Sequence, residues 1–193
     1  NLNEARGEVS KAINVLEFTA SESRRPTGDV IPSEMPNTLI YTTRTPRGVV
    51  ALITPWNFPV CIPVWKIAPA LLEGNSVVFK PASLTPGCAV AITQVFEEAG
   101  VPKGVLNLIH GSGSVIGNAL VNDSRIRAVS FTGSNEVGRG LYEKAARRLI
   151  PVQLEMGGKN PIIILDDADV EQAVLATLQG AYGSTGQRCT ATS

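Results

Sequence analysis

The chain has 193 residues, 44% hydrophobic and 18% charged, the proportions of an ordinary globular protein long enough to bury a sizeable core. Its 17 basic and 17 acidic residues cancel, which leaves neither the basic excess of a nucleic-acid binder nor a polybasic run for an anionic membrane. No apolar run nears the ~20 residues that cross a bilayer, and the opening N-L-N-E-A-R-G-E has no signal-peptide pattern. Three irregularly spaced cysteines (Cys61, Cys88 and Cys189) and a single histidine, His110, argue against a disulfide framework, a histidine-rich metal site and a Ser-His-Asp triad. They point to a reducing, cytoplasmic setting with no metal.

In chain order, residues 2–25 carry Leu2, Ala5, Val9, Ala12, Ile13 and Leu16 at helical spacing, and Pro26-Thr27-Gly28 stops the helix. Residues 28–46 hold three prolines and the β-prone L-I-Y-T-T, the makings of an extended arm or hairpin with an edge strand. A rhythm follows. V-V-A-L-I (49–53) predicts a strand buried on both faces, then a helix over 59–72. S-V-V-F-K (76–80) is a second strand, and Thr85-Pro86 caps a helix to Glu98. V-L-N-L-I-H (105–110) precedes a helix over 114–121, and A-V-S-F-T (128–132) precedes one over 135–149. V-Q-L-E (152–155) and I-I-I-L (162–165) read as further strands, and Asp169 caps a helix to about Ala181. Repeated strand–helix alternation predicts a doubly wound α/β fold with a parallel sheet. Its ligands bind at the carboxyl ends of the strands.

Chemistry-bearing residues gather at those ends. Two glycine-rich turns, H-G-S-G-S-V-I-G (110–117) and F-T-G-S-N-E-V-G (131–138), each lead from a strand into a helix whose free N–H groups suit a pyrophosphate. Either could equally be a plain tight turn. Lys80 in F-K-P-A-S is placed for a ribose or phosphate, or is simply solvated. Asn57 in P-W-N-F-P is an oxyanion donor or a turn asparagine. Glu155 in L-E-M-G-G-K is a desolvated general base or an edge ion-pair partner. Cys189 in G-Q-R-C-T, beside Arg188, is a nucleophile or a structural thiol, whereas Cys61 and Cys88 have the apolar neighbours of core residues.

Together, P-W-N-F-P, F-K-P-A-x-x-T-P, F-T-G-S-x-x-V-G, L-E-M-G-G-K-N-P and G-Q-R-C-T stand in the order and close to the spacing of the NAD(P)-dependent aldehyde dehydrogenases, which the chain resembles over nearly its whole length. The resemblance implies that Cys189 attacks an aldehyde carbonyl and passes through a thiohemiacetal and a thioester. Asn57 and the Cys189 N–H would hold the oxyanion, Glu155 would activate the hydrolytic water, and Lys66 would help relay its proton. Phe58 and Trp65 would line the substrate tunnel. It gives Lys80 the adenosine ribose and Ser134 the pyrophosphate, and so favours the F-T-G-S turn. Thr54, Pro55, Trp56, Ser83, Gly113, Phe131, Gly133, Met156 and Gly157, with Glu155 and Cys189, complete the implied cofactor contacts.

The resemblance also implies a cofactor domain over 1–27 and 47–156, an oligomerisation arm over 28–46 that builds a homodimer or homotetramer, and the start of a catalytic domain over 157–193. The chain then reads as an internal window of a longer one. Ser83 stands where NAD-preferring members often carry a glutamate. A glutamate there would repel a 2′-phosphate by ~4 kcal/mol at ~4 Å and an effective dielectric near 20, so Ser83 predicts that NADP is accepted beside NAD. Arg188 and the surrounding G-Q-R-C-T-A-T-S resemble those of members acting on dicarboxylic semialdehydes such as 2-oxoglutarate semialdehyde, although Arg188 could equally face away into structure and non-phosphorylating glyceraldehyde-3-phosphate dehydrogenases carry similar residues. Alternatives are a CoA-acylating relative, against which Glu155 argues, and a non-catalytic relative or inactive piece, against which Asn57, Glu155 and Cys189 together argue.

Overall fold

The structure is a computed structural model and describes residues 1–25 and 28–192. The Pro26-Thr27 part of the expected helix stop therefore lies outside the described residues. Helix α1 (Leu2–Glu22) opens on a capping box, with the Asn1 side chain accepting from the Glu4 N–H. The arm carries a two-residue antiparallel ladder, β1 (Val30–Ile31) with β2 (Ile40–Tyr41), exposed throughout.

The central body alternates β3 (Val49–Ile53), α2 (Cys61–Leu72), β4 (Ser76–Lys80), α3 (Pro86–Glu98), β5 (Leu106–Leu108), α4 (Asn118–Asn122), β6 (Ile126–Gly133), α5 (Asn135–Arg147) and β7 (Val152–Met156). All five strands β3–β7 are parallel, in the order β5-β4-β3-β6-β7. The chain builds outward from β3 to β5, returns, and builds outward on the other side. The reversal leaves a crevice at the carboxyl ends of β3 and β6.

Strand parity explains why β3 is apolar without a break. Val50 and Leu52 face one core with Val64 and Ile67 of α2, Phe79 of β4 and Ile92 of α3. Ala51 and Ile53 face a second core with Leu120 and Val121 of α4, Phe131 of β6 and Leu141 of α5. Alternate side chains point to opposite faces, and helices cover both. Val60, the residue before helix α2, supplies no side-chain cap. Glu8 of α1 substitutes for one, its carboxylate accepting from the Val60 and Cys61 N–H groups at 2.7 and 2.9 Å.

Three expectations need correction. I-I-I-L forms no strand, and Ile163 is 78% exposed. A strand persists only within a ladder, and the sole pairing beyond β7 among the described residues is a single parallel bridge, Asn160 to Thr192. The helix expected over 114–121 is a π-helical turn, Gly113–Gly117, running into α4. Thr85 stands at the start of α3 with Pro86 first in the helix, but its hydroxyl makes no capping bond. The Asp169 cap does form: its Oδ1 accepts from the Gln172 N–H at 3.1 Å, at the head of α6 (Val170–Tyr182).

Candidate active site

A groove of about 550 Å³ lies at the crevice. Thr54, Pro55 and Trp56 follow β3, Lys80 ends β4, Phe131 and Gly133 end β6, Ser134 opens α5, and Gly113 comes from the π-helical turn. The two glycine-rich turns that compete for a phosphate in the sequence thus border one groove. Ser134 caps α5 through its side chain, so the helix turns its N-terminal N–H groups toward the groove. A Cβ at Gly133 would sit 2.4 Å from the Phe131 ring, so a side chain there would force the ring to move.

The hydroxyls of Thr54 and Thr132 are buried at this edge without a hydrogen-bond partner. Such groups cost about 1–3 kcal/mol each when left unpaired, so the groove is built for a polar ligand. The Lys80 side chain is buried beside it, and desolvation lowers its pKa. Its ammonium donates to the Pro81 carbonyl at 2.8 Å and keeps further hydrogens for a ligand. Ser83 is exposed nearby, its hydroxyl donating to the Gly111 carbonyl at 3.4 Å. A dinucleotide fits this donor set.

A second group of residues occupies the face of β6 and β7 that looks onto α2. The buried Lys66 ammonium donates to the Ser130 hydroxyl at 2.6 Å. Ser130 donates to the Gln153 side-chain oxygen at 2.5 Å, and the Gln153 amide donates to the Glu155 carboxylate at 3.4 Å. Burial pulls the Lys66 pKa from 10.5 down to about 8, and the nearby Glu155 charge offsets part of that. Trp65 shares this recess and lies half-buried, with the Lys11 ammonium 5.7 Å from its ring centroid. Phe58 is half-buried in the turn before α2. Met156 packs into the second core, and the Gly157 carbonyl accepts from Asn135.

Cys189 is exposed, and side chains from distant elements hold its segment. Asn57 donates to the Gln187 carbonyl at 2.9 Å, while its own side-chain oxygen is buried without a partner. Asn160 donates to the Cys189 and Ala191 carbonyls at 2.6 and 3.0 Å. Upstream, Ser184 and Thr185 adopt left-handed φ of 52° and 55°, and the Glu4 carboxylate accepts from the Ser184 N–H at 2.8 Å. Gly186 follows at φ 70°, where a Cβ would meet the Ala181 carbonyl at 2.8 Å.

Arg188 departs from the expected approach to a substrate carboxylate. Its Nη2 donates to the Gln179 and Gly180 carbonyls at 2.7 and 2.8 Å, so the guanidinium closes the end of α6. Ser130, Gln153 and Glu4 lie outside the motifs that mark the site in the sequence, and Asn160 lies inside one, L-E-M-G-G-K-N-P, with no role implied for it there. For Ser130 and Gln153 a signal was present: Ser130 shares the parity of Thr132 in β6, and Gln153 that of Glu155 in β7.

The aldehyde dehydrogenase family pattern matches residues 1–193. The chain belongs to that family. It is 54% identical over 192 residues to the alpha-ketoglutaric semialdehyde dehydrogenase of Bacillus subtilis (strain 168), covering 100% of this chain and 39% of the relative. It is 47% identical over 194 residues to the 2,5-dioxopentanoate dehydrogenase of Saccharolobus solfataricus, covering 100% and 41%. The fold superposes on the crystal structure of an aldehyde dehydrogenase from Brucella melitensis biovar abortus 2308 with a TM-score of 0.97 and 42% identity, covering 100% of this chain and 40% of that one. Among other family members, an Escherichia coli succinate-semialdehyde dehydrogenase is named for NADP(+), and a Staphylococcus aureus betaine aldehyde dehydrogenase was crystallised with NAD+. The chain spans about two-fifths of the length of the relatives it matches. Among the described residues no helix is long and apolar enough to cross a membrane.

Proposed function

We propose that the whole protein oxidises an aldehyde to a carboxylic acid, with Cys189 as nucleophile. The thiolate adds to the carbonyl carbon, and the resulting oxyanion is held by the Asn57 amide and the Cys189 N–H. A nicotinamide dinucleotide in the groove supplies the hydride acceptor. Loss of hydride converts the thiohemiacetal to a thioester. Glu155 then takes a proton from water as the water oxygen bonds to the acyl carbon and the C–S bond breaks, releasing the acid and the thiolate. Thr54, Thr132, Lys80 and the head of α5 hold the dinucleotide. The observation that carries this reading is the bond from Asn57 to the Gln187 carbonyl, because it ties the end of a cofactor-domain strand to the nucleophile's own segment.

The substrate we infer is a dicarboxylic semialdehyde, 2-oxoglutarate semialdehyde first, on the strength of the relatives' activities. With Arg188 engaged on α6, the distal carboxylate is met by residues other than Arg188. Ser83 supports use of NADP beside NAD. We further propose that residues 157–193 belong to a catalytic domain and that the exposed arm over 28–46 joins subunits of a cytoplasmic homodimer or homotetramer.

A single turnover of the whole protein tests the chemistry. 2-Oxoglutarate semialdehyde and NADP are mixed with enzyme, reduced cofactor is followed by absorbance, and the quenched protein is mapped by mass spectrometry. The expected result is reduced cofactor with a transient acyl adduct on Cys189, both absent in Cys189→Ala. Turnover with other aldehydes only would remove the substrate assignment. No reduction and no adduct with any aldehyde would remove the activity.

A further inference from the structure

The strand ladder places four polar residues of β6 and β7 together. Ser130 pairs with Gln153, and Thr132 pairs with Glu155. Gln153 and Glu155, two residues apart, project from the same face of β7. Parity puts Ser130 on the opposite face from Val129 and Phe131, which lie in the second core, and so on the side where α2 delivers Lys66. Ser130 is half-buried and accepts from the buried Lys66 ammonium, while Gln153 and Glu155 are exposed beside it.

The chain of bonds has a single polarity. An ammonium can only donate. The Ser130 oxygen therefore accepts from Lys66, and its own hydrogen points to the Gln153 oxygen. That fixes the Gln153 amide, whose NH₂ must turn toward Glu155. From this we propose that Ser130 and Gln153 are positioning residues, a two-residue bridge through which Lys66 sets the orientation of the Glu155 carboxylate for its attack-activating role. The inference rests on the general-base reading of Glu155 given above. The bridge does not relay a proton: an amide interposed between two groups orients them and passes no proton without tautomerising. Its effect is confined to hydrolysis of the acyl-enzyme, the step in which Glu155 acts, and leaves acylation at Cys189 untouched.

Rapid-mixing kinetics of the whole protein separates the two steps. In Ser130→Ala the first-turnover burst of reduced cofactor is expected to keep its amplitude and rate, and KM for aldehyde and cofactor is expected to stay within about twofold. Steady-state turnover should fall about tenfold or more, in the range lost when a general base is misplaced. Ser130→Thr, which keeps the hydroxyl, should recover most of it. Gln153→Glu should be worse than Gln153→Ala, because it replaces the donor with a second carboxylate beside Glu155. Equal losses of burst and steady state in Ser130→Ala, or no recovery in Ser130→Thr, would mean a merely structural pair and overturn the bridge. So would unchanged turnover in both alanine variants. An inactive wild-type protein, or a Cys189→Ala variant that still turns over, would instead overturn the reading beneath it.

Discussion

The five-stranded body and the segment after β7 are built on different terms. The body closes its own core: Phe79, Ile67 and Val77 are wholly buried, and β3 is sandwiched between helices on both faces. Helix α6 buries no residue at all, and I-I-I-L lies exposed before it. What holds the later segment is a small set of polar ties: Asn57 to Gln187 and Glu4 to Ser184 from the body, and Asn160 to Cys189 and Ala191 within the segment itself. The first two join it to residues far away in sequence. The groove thus sits on a body made rigid by apolar packing. Cys189, the proposed nucleophile, rides on a backbone whose position depends on a few directional bonds, each worth only about 0.5–1.5 kcal/mol net.

The contrast can be broken by mutation. Phe79→Ala should cost about 3–5 kcal/mol, since it removes a fully enclosed ring and leaves a cavity. Urea unfolding measures it, and a loss under ~1 kcal/mol would mean that the sheet core is not the source of stability. Lys66→Met tests the polar recess within the body. With its pKa lowered to about 8, the folded protein binds fewer protons than the unfolded chain between pH 8 and the ordinary 10.5. Stability therefore rises with pH across that window and is lost again as pH falls through 8. At pH 7 the methionine variant should be the more stable, by on the order of 3 kcal/mol, and the gap should close by about pH 10.5. A gap that is flat with pH would show that desolvation of the ammonium is not the cause.

Asn160→Ala sharpens the comparison from the other side. It removes two bonds to the nucleophile segment, so backbone amides near Cys189 should exchange with solvent about tenfold faster, the equivalent of ~1.4 kcal/mol. Amides of β3 and β6 should keep their protection, and parallel acceleration in the sheet would contradict the separation of the two regions. The smallest effect is expected from Leu178→Ala on α6, within ~0.5 kcal/mol for an exposed side chain. A cost near that of Phe79→Ala would mean that α6 is packed after all.

Much of this molecule could be read along the chain. Continuous apolar runs at 49–53 and 77–79 marked strands covered on both faces, because burial on two sides removes the polar alternation. Asp169 announced the head of α6 through its own short side chain. The run at 162–165 misled for a related reason. Local propensity describes what a strand would look like, but a strand exists only if another lies beside it. Arg188 stayed open along the chain because a guanidinium serves a substrate carboxylate or a helix end equally well, and only the fold shows the helix end within its reach.

The sequence by itself determined the alternation, the parallel sheet and the family, and nominated Asn57, Glu155, Lys66 and Cys189 for the proposed chemistry, since periodicity and ordered motifs are local facts. The tertiary structure alone decided that both glycine-rich turns border one groove, that Glu8 caps a helix not its own, and that Ser130 and Gln153 stand between Lys66 and Glu155. Those depend on strand register and helix docking, which bring together side chains that no spacing along the chain relates.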